Sequence, residues 1–229
     1  MAFINRKTGE IQLKIVYAGP ARSGKSASLA WIHRRFARSF SSRLVRVRAG
    51  EGQTVLFDFA ALGLPPVSGF RLHVRLYTLP GDERFESTAK LALRGVDGIV
   101  FVADASAMRK TNILALKRIE AALTAAGRSL EKLPLVFQFN KYDLLSSGAL
   151  LLPPATLAAD LNRAFRRPCW VTSAATGKNL LPPFCKIITL AAAALEGQAR
   201  RRMPDLPLRG FAAAVAESLA ERFSFIAPR

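Results

Sequence analysis

Acidic residues are scarce in this sequence: 16 Asp and Glu stand against 34 Lys and Arg, a formal charge of +18 over 229 residues. Cysteine is scarcer still. Two cysteines, Cys169 and Cys185, cannot make a disulfide framework; this excludes a stapled secreted scaffold and makes a reduced, cytoplasmic setting the expectation. Long apolar runs are missing as well. No stretch reaches the roughly 18 residues needed to span a bilayer, and "GALLLPPATLAADL" is broken by Pro153 and Pro154. The opening "MAFINRKTGEIQ" has no apolar h-region, so a secretory leader is not expected. There is no internal repeat and no low-complexity tract. What is present is a chain that is 50% hydrophobic and long enough to bury a core. Its charge excess attracts polyanions, whether nucleic acid, anionic lipid or an acidic partner, without choosing among them.

Strand-like and helix-like stretches alternate along the chain, which points to an α/β protein. "EIQLKIVYAG" alternates and ends at Gly19, a strand feeding a loop. "KSASLAWIHRRFAR" reads as the helix that follows. Arg34, Arg35, Arg38, Arg43, Arg46 and Arg48 fall in or after its end with no acid between them. "TVLFDFAAL" and "GFRLHVRLYTL" are two strands, and the turn between them, with Gly63, Pro65, Pro66 and Gly69, signals a hairpin. "GIVFVAD" and "LPLVFQFN" read as buried strands, separated by the helix "TNILALKRIEAALTAAG" with a stop at Gly127. "PATLAADLNRAFRR" is a further helix, "PCWVTSA" a short strand and "NLLPPFCKIITLAAAALEG" a final domain helix. From residue 198 the character changes: "QARRRMPDLP" reads as a linker. After it, Leu208, Phe211, Val215, Leu219 and Phe223 share one helical face. The expected division is therefore a domain over 1–197 and a linker with a C-terminal amphipathic helix over 198–229.

The chemistry starts at "GPARSGKS", residues 19–26, which matches Gly-x-x-x-x-Gly-Lys-Ser/Thr between a strand and a helix. Gly19 and Gly24 let backbone N–H groups turn inward around phosphate oxygens. Lys25 brings a charge to the β- and γ-phosphates, and the Ser26 hydroxyl is sized to coordinate magnesium. The start of the helix adds its positive dipole end. Ala21, Arg22, Ser23 and Ala27 complete the loop. The ordinary alternative is a glycine-rich strand-to-helix turn.

A second tetrapeptide, "NKYD" at 140–143, closes the strand "LPLVFQF" about 115 residues after Lys25. Asn-Lys-x-Asp at such a place reads guanine. The Asp143 carboxylate accepts from guanine N1–H and the exocyclic amine, whereas adenine N1 would face it with a lone pair. Polar pairing of this kind discriminates by about 10⁴-fold or more. Asn140 would brace the loop, and the Lys141 stem would lie on the base. Alone the tetrapeptide is weak, because Asn and Asp are common turn residues. "SAATG", Ser173 to Gly177, adds a third loop after the next strand. Its backbone at Ala174 would meet the guanine O6, with Ser173 and Ala175 beside it.

The order of phosphate loop, "NKYD" and "SAA" resembles the small GTPase fold. In detail it resembles the bacterial gliding and polarity GTPases of the MglA type, on the stretches "FIN", "KIVYAGP", "TVLFDF", "GF…LYTLPG", "LRGVDGIVFVAD" and "LP…QFNKYDL", over residues 1 to about 197. The resemblance implies a P-loop fold with a six-stranded, mostly parallel sheet and helices on both faces. It implies GTP and GDP as ligands with Mg2+, switch loops controlled by GTP, and a roadblock-type activating partner of the MglB kind with polarity or motility effectors. It places the protein in the cytoplasm, peripheral to the inner membrane or at a cell pole.

The resemblance also assigns the switches. Thr54 corresponds to the first-switch threonine, with its hydroxyl on magnesium and its N–H on the γ-phosphate, and the Gly81 N–H senses the same phosphate. "TLPG" (Thr78 to Gly81) has Thr where most small GTPases have Asp, a habit of the MglA type. Asp58, on the adjacent strand, is the candidate to replace that carboxylate through water; its ordinary reading is a polar residue on a strand face. Three positions depart from the family pattern. Ala21 replaces a glycine and crowds the space by the γ-phosphate. Asp82 replaces the glutamine that orients the attacking water. Gln53 replaces a catalytic arginine, a group worth about 10³-fold or more in rate.

Two readings of those departures stand: a slow GTPase whose sequence has drifted, or a GTP-holding switch that hydrolyses only when a partner supplies groups. A nucleotide-locked adaptor is the runner-up function, and a GTPase acting on RNA or ribosomes rests on charge alone. The arginines between Arg34 and Arg48 suit an anionic membrane or an acidic partner, or are a solvated helix end. Nucleic acid is the weakest of these inferences, because no aromatics are interleaved in a groove-like pattern. The C-terminal helix either packs back on the domain or docks on lipid or a partner.

Overall fold

The computed structural model describes residues 3–49, 54–64, 66, 69–81 and 92–223, with only the main chain for 46–49 and 54–61. The sheet begins from one strand. In β2 (Glu10–Ala18) apolar residues fall on alternating sides, Ile11, Leu13, Ile15 and Tyr17 on one and Val16 and Ala18 on the other, and all six are fully buried. A strand that is apolar on both faces must be covered on both, which is the pattern of a central parallel strand. Around it lie β1 (Phe3–Asn5), β3 (Val45–Ala49), β4 (Thr54–Gly63), β5 (Arg71–Thr78), β6 (Gly98–Asp104), β7 (Leu135–Asn140) and β8 (Cys169–Val171).

The strand order is β3-β4-β5-β2-β6-β7-β8, and β1 pairs antiparallel with the first residues of β2. β5, β2, β6, β7 and β8 are parallel, while β4 runs antiparallel to both of its neighbours. The α/β class and the mostly parallel sheet agree with the sequence reading, and so does the β4–β5 hairpin pairing. The strand count differs: eight among the described residues rather than six. β1 fits because β6 pairs with β2 only from Ile15 onward, which leaves Glu10–Gln12 an open edge. β3 is the outermost strand, and its "VRVRA" alternation was read only as part of an arginine run.

Helices cover both faces. α1 (Lys25–Arg35) and α4 (Leu181–Arg202) pack on the odd-numbered side of β2, burying Leu29, Ile32, Phe184, Ile187 and Ile188. α2 (Arg109–Ala125) and α3 (Pro154–Leu161) cover the other, through Leu116, Ile119, Leu123, Leu157 and Leu161. Each such side chain contributes about 1.5–3 kcal/mol by leaving water.

Helix ends depart from the sequence reading for local reasons. α3 stops at Leu161 rather than running to Arg167. Asn162 there donates through Nδ2 to the Arg167 carbonyl (2.7 Å) and accepts the Arg167 N–H (2.7 Å), which closes a turn in place of helix. α4 runs past the expected boundary at residue 197 to Arg202, since Gly197 is tolerated inside a helix held by Leu195 and Ala199 on its buried side. Residues 203–210 then lead to α5 (Phe211–Phe223).

α5 lies back on α4 and α1. Leu208, Phe211, Val215, Leu219 and Phe223 all join the α1–α4 core. The Phe223 ring meets Phe36 at 4.6 Å and Phe184 at 5.5 Å, both edge to face, an arrangement favoured by the ring quadrupoles. Because its apolar side is buried here, α5 turns Ala213, Glu217, Ala220 and Glu221 outward. That face lacks the apolar and basic residues a helix needs to lie on anionic lipid, so the lipid-docking alternative for this helix is not supported.

No side chain of α5 itself caps its amino end. The carboxylate of Glu196, on α4, accepts the N–H groups of Gly210 (2.9 Å) and Ala212 (3.1 Å) instead. Those two bonds, led by the one from Ala212, hold the Glu196 carboxyl below the usual glutamate range. The Glu196→Ala protein should lose about 1 kcal/mol of stability at pH 7, the usual value of a cap. A lowered carboxylate stabilises the fold above the unfolded pKa, near 4.3, and loses that effect as pH falls through the folded value. The difference between wild type and Glu196→Ala should therefore shrink below pH 4. Urea unfolding at pH 7 and in the acid range, with amide exchange in Phe211–Phe223, measures both effects.

Candidate nucleotide site

The strand order places the site. From β2 the chain leaves through α1 towards β3, β4 and β5, then crosses to β6 on the other side of β2. Ligands of open α/β sheets sit at such a reversal, beyond the carboxyl ends of the strands. The loops after β2, β6, β7 and β8 all emerge at that edge.

The loop after β2 is bent by its glycines. Gly19 and Gly24 have φ of +142° and +100°, and Arg22 also has positive φ, at 60°. Space is as restrictive as φ. A Cβ on Gly19 would fall on the Val102 carbonyl oxygen, and one on Gly24 on the Asn140 side-chain amide. Lys25 is buried. Its ammonium donates to the carbonyls of Gly19 (3.1 Å) and Pro20 (2.5 Å), arching back over the loop. Burial lowers its pKa to about 8, with the Asp104 carboxylate partly opposing the shift. Ser23 is fully buried and its hydroxyl has no partner among the described residues. No side chain caps the start of α1, so its first N–H groups remain available. Ser26 is half-buried there, and Ala21, Arg22 and Ala27 are exposed on the rim. A buried ammonium, bent main chain and open helix N–H groups form a donor set that suits a polyphosphate.

The "NKYD" and "SAATG" loops join this one through Asn140. Its Nδ2 donates to the Ser23 carbonyl (2.7 Å), and its Oδ1 accepts the Ala174 N–H (2.8 Å) and, more weakly, the Thr172 hydroxyl (3.3 Å). Asn140 is itself buried. The expected brace is present, and it reaches two loops rather than one. The same bond revises the expectation for Ala174. Its N–H, assigned to a base oxygen, is donated to Asn140. The adjoining Ala175 is exposed, while Ser173 folds the loop by accepting the Thr176 N–H (3.1 Å) and the Gly177 N–H on its carbonyl (2.8 Å).

Lys141 takes positive φ, 76°, and points its ammonium at Asp104 Oδ2 (2.6 Å) and Ser106 Oγ (3.3 Å). Asp104 is buried, and its other oxygen accepts the N–H and hydroxyl of Ser106. Asp104 was not singled out in the sequence. Its one signal is an acid closing the apolar run "GIVFVAD". Gln138 and Ser28 were missed too; Gln138 Nε2 donates to Ser28 Oγ (2.8 Å) beneath the loop, tying β7 to α1. Asp143 is half-buried in the 3-10 turn Tyr142–Ser147, and among the described residues its carboxylate has no hydrogen bond or ion pair. It is placed to accept from a ligand's N–H groups.

The switch residues are less completely described. Gly81, just past β5, lies against the phosphate loop: a Cβ there would fall on the Ala21 nitrogen, so only glycine lets the two segments approach this closely. Thr54 opens β4 opposite Ala49 and Asp58 pairs with Arg46, one residue beyond the Phe59–Tyr77 pair near the end of β5. Both are thus carried to the loop edge, with side chains outside the described set. Gln53 and Asp82 lie outside the described residues altogether. Among the described residues no group of three or more His, Cys, Asp or Glu could hold a metal ion. A magnesium ion here would depend on the Ser26 hydroxyl and the ligand's own phosphate oxygens.

Two outcomes follow from this geometry. Asn140→Ala leaves a buried carbonyl and a buried N–H unpaired, at a cost of about 1–3 kcal/mol. The melting temperature should drop by several degrees, and bound nucleotide should dissociate faster, measured with a fluorescent analogue. Nucleotide affinity should also depend on pH. An entering polyanion raises the Lys25 pKa above its free value of about 8. Above pH 8 binding then takes up a proton, and affinity falls by up to about tenfold per pH unit; below pH 8 it is flat. Titration calorimetry in buffers of differing ionisation enthalpy reads the proton directly.

No family model matches the chain. Among curated proteins, the mutual gliding-motility protein MglA of Myxococcus xanthus (strain DK1622) is 39% identical to it over 145 residues, 63% of this chain and 74% of that protein. With the phosphate loop after β2, the base-reading tetrapeptide after β7 and the strand order between them, that identity shows that the chain belongs to the MglA family of bacterial small Ras-like GTPases.

Proposed function

We propose that this protein is a guanine-nucleotide-dependent switch, binding GTP or GDP with magnesium, and that it hydrolyses GTP slowly or only with a partner's help. The observation that carries the reading is Asn140, which bonds the phosphate loop and the "SAATG" loop at once and so fixes the distance between triphosphate grip and base pocket. In this reading Gly19–Ala27 hold the phosphates, Lys25 turning from its two carbonyls towards the β- and γ-oxygens. Asp143 selects guanine, and the Lys141 stem, held out by Asp104, lies along the base. Ser26, Thr54 and, through water, Asp58 hold magnesium, which when bound neutralises charge between the β- and γ-phosphates. Thr54 and Gly81 report the γ-phosphate to the switches.

Kinship with a gliding-motility protein supports a role in cell motility or polarity, a roadblock-type activator of the MglB kind and effectors of the same process. No helix among the described residues is long and apolar enough to cross a membrane. Peripheral contact with an anionic membrane would use the exposed Arg34, Arg35, Arg38 and Arg43 with Arg46 and Arg48 on β3.

The second reading, a hydrolysis-deficient holder of GTP, is favoured by the meeting of Gly81 with Pro20–Ala21. The Ala21 methyl stands where that contact leaves least room beside the γ-phosphate. With Gln53 and Asp82 in place of an arginine and a glutamine, water is neither charged against nor oriented in the family's way.

Calorimetric titration with GTP and ATP, followed by single-turnover loss of the γ-phosphate, tests these readings in order. Guanine selectivity should be at least about 10³-fold, most of it lost in Asp143→Ala. No preference between the two nucleotides would end the proposal. A basal rate that rises at least tenfold in Asp82→Gln supports the slow GTPase. A rate indistinguishable from zero in both, with GTP retained through purification, supports the holder.

A further inference from the structure

At the opposite edge of the sheet from the nucleotide site, a cleft opens beneath the amino ends of β6 and β7. It has two lobes of about 480 and 460 Å3 that share Arg128 and Gln198. α2 descends one face of the sheet and α4 the other, and their carboxyl-terminal ends meet here. The floor is apolar, with Leu133 and Leu195 buried in it. Around it stand Lys132 at the first lobe and Arg128, Arg201 and Arg202 at the second.

The second lobe carries three guanidinium groups, one carboxamide and no carboxylate. The first holds one acid, Asp97, whose Oδ2 accepts the Lys14 N–H (2.9 Å) and whose pKa is raised, chiefly by burial. Arg128 is oriented for the cleft: its Nη1 donates to the Val96 carbonyl (2.5 Å), which fixes the guanidinium at the junction of the lobes. Arginines at a helix carboxyl end are ordinarily explained by the helix dipole, but that dipole amounts to about half an elementary charge. Four cations drawn from α2's exit, a 3-10 turn and α4 exceed what it needs.

We propose that this cleft is a second anion site, taking a phosphate monoester. Planar guanidiniums bind phosphate through paired N–H groups, and several of them around one concave lobe match a dianion better than a carboxylate. The volume fits a small phosphorylated molecule or the headgroup of a phosphomonoester lipid. The site is separate from the phosphate loop, so both can be filled together.

The full chain, saturated with GDP and magnesium to close the phosphate loop, is titrated with glycerol 3-phosphate and separately sedimented with phosphatidylcholine vesicles with and without phosphatidic acid. Binding of the soluble ester assigns a free phosphate ligand. Binding only of the phosphatidic acid vesicles assigns the lipid headgroup. In either arm Lys132→Gln/Arg201→Gln should weaken binding at least tenfold, and Arg128→Gln should do the same if its fold is intact by circular dichroism. Lys110→Gln/Lys117→Gln, of equal charge change on the outer face of α2, should stay within twofold, and GDP affinity should be unchanged in all. Failure of both probes to bind, or equal losses in the cleft and control variants, would overturn the proposal.

Discussion

Everything at the loop edge depends on one carboxamide. Asn140 sits buried at the end of β7 and joins the Ser23 carbonyl to the Ala174 N–H. Neither main-chain group belongs to a strand ladder, and neither reaches water. Without Asn140 each would be a buried polar group with no partner. The amide also occupies the space where a Cβ at residue 24 would stand. Glycine at 24, asparagine at 140 and the bend after β8 are therefore one constraint seen from three places in the chain.

That constraint can operate only because the sheet delivers the three loops to one place. β2, β6, β7 and β8 are adjacent and parallel, so their exits are neighbours. The order itself follows from burial: β2, β6 and β7 are apolar on both faces and occupy the middle, and the strands carrying arginine at alternate positions go to the margin. β3, with Arg46 and Arg48, is the edge strand, where exposed charge discourages further pairing. α5 closes the face that α1 and α4 leave partly open, so Phe36, at the end of the helix that begins with Lys25, rests on Phe223.

What could be read in the sequence divides along contact range. The phosphate loop was legible because its chemistry is local: two glycines, a lysine and a serine at fixed spacing specify the backbone and the donors together. β2, β6 and β7 were legible because burial on both faces leaves an apolar run. Asp104 was not, since its meaning lies in a bond to Lys141, 37 residues away. Gln138 and Ser28 are 110 residues apart and each is unremarked alone. Helix ends failed where side chains override pattern: Asn162 ends α3 early, and the buried stripe of α4 carries it through Gly197. The role of Ala174 was misjudged for a further reason. Sequence shows which N–H groups a loop owns, not which of them the protein uses itself.

A division between holding a nucleotide and cleaving it follows from which atoms do each task. The grip proposed here is built from main-chain N–H groups, one buried ammonium and a carboxamide. Main chain cannot be substituted away, and Lys25 and Asn140 are each pinned by two strong bonds. Cleavage relies instead on side chains at the mobile margin of such sites, the positions filled here by Ala21, Gln53 and Asp82, where the fold imposes no comparable penalty for change. Substitution at those positions costs the structure little and the chemistry about 10³-fold or more where an arginine is lost. A family member can therefore keep its affinity while its rate falls. The same reasoning explains why a partner can restore the rate: the missing groups need only be presented at the rim, to a nucleotide the chain already holds in place.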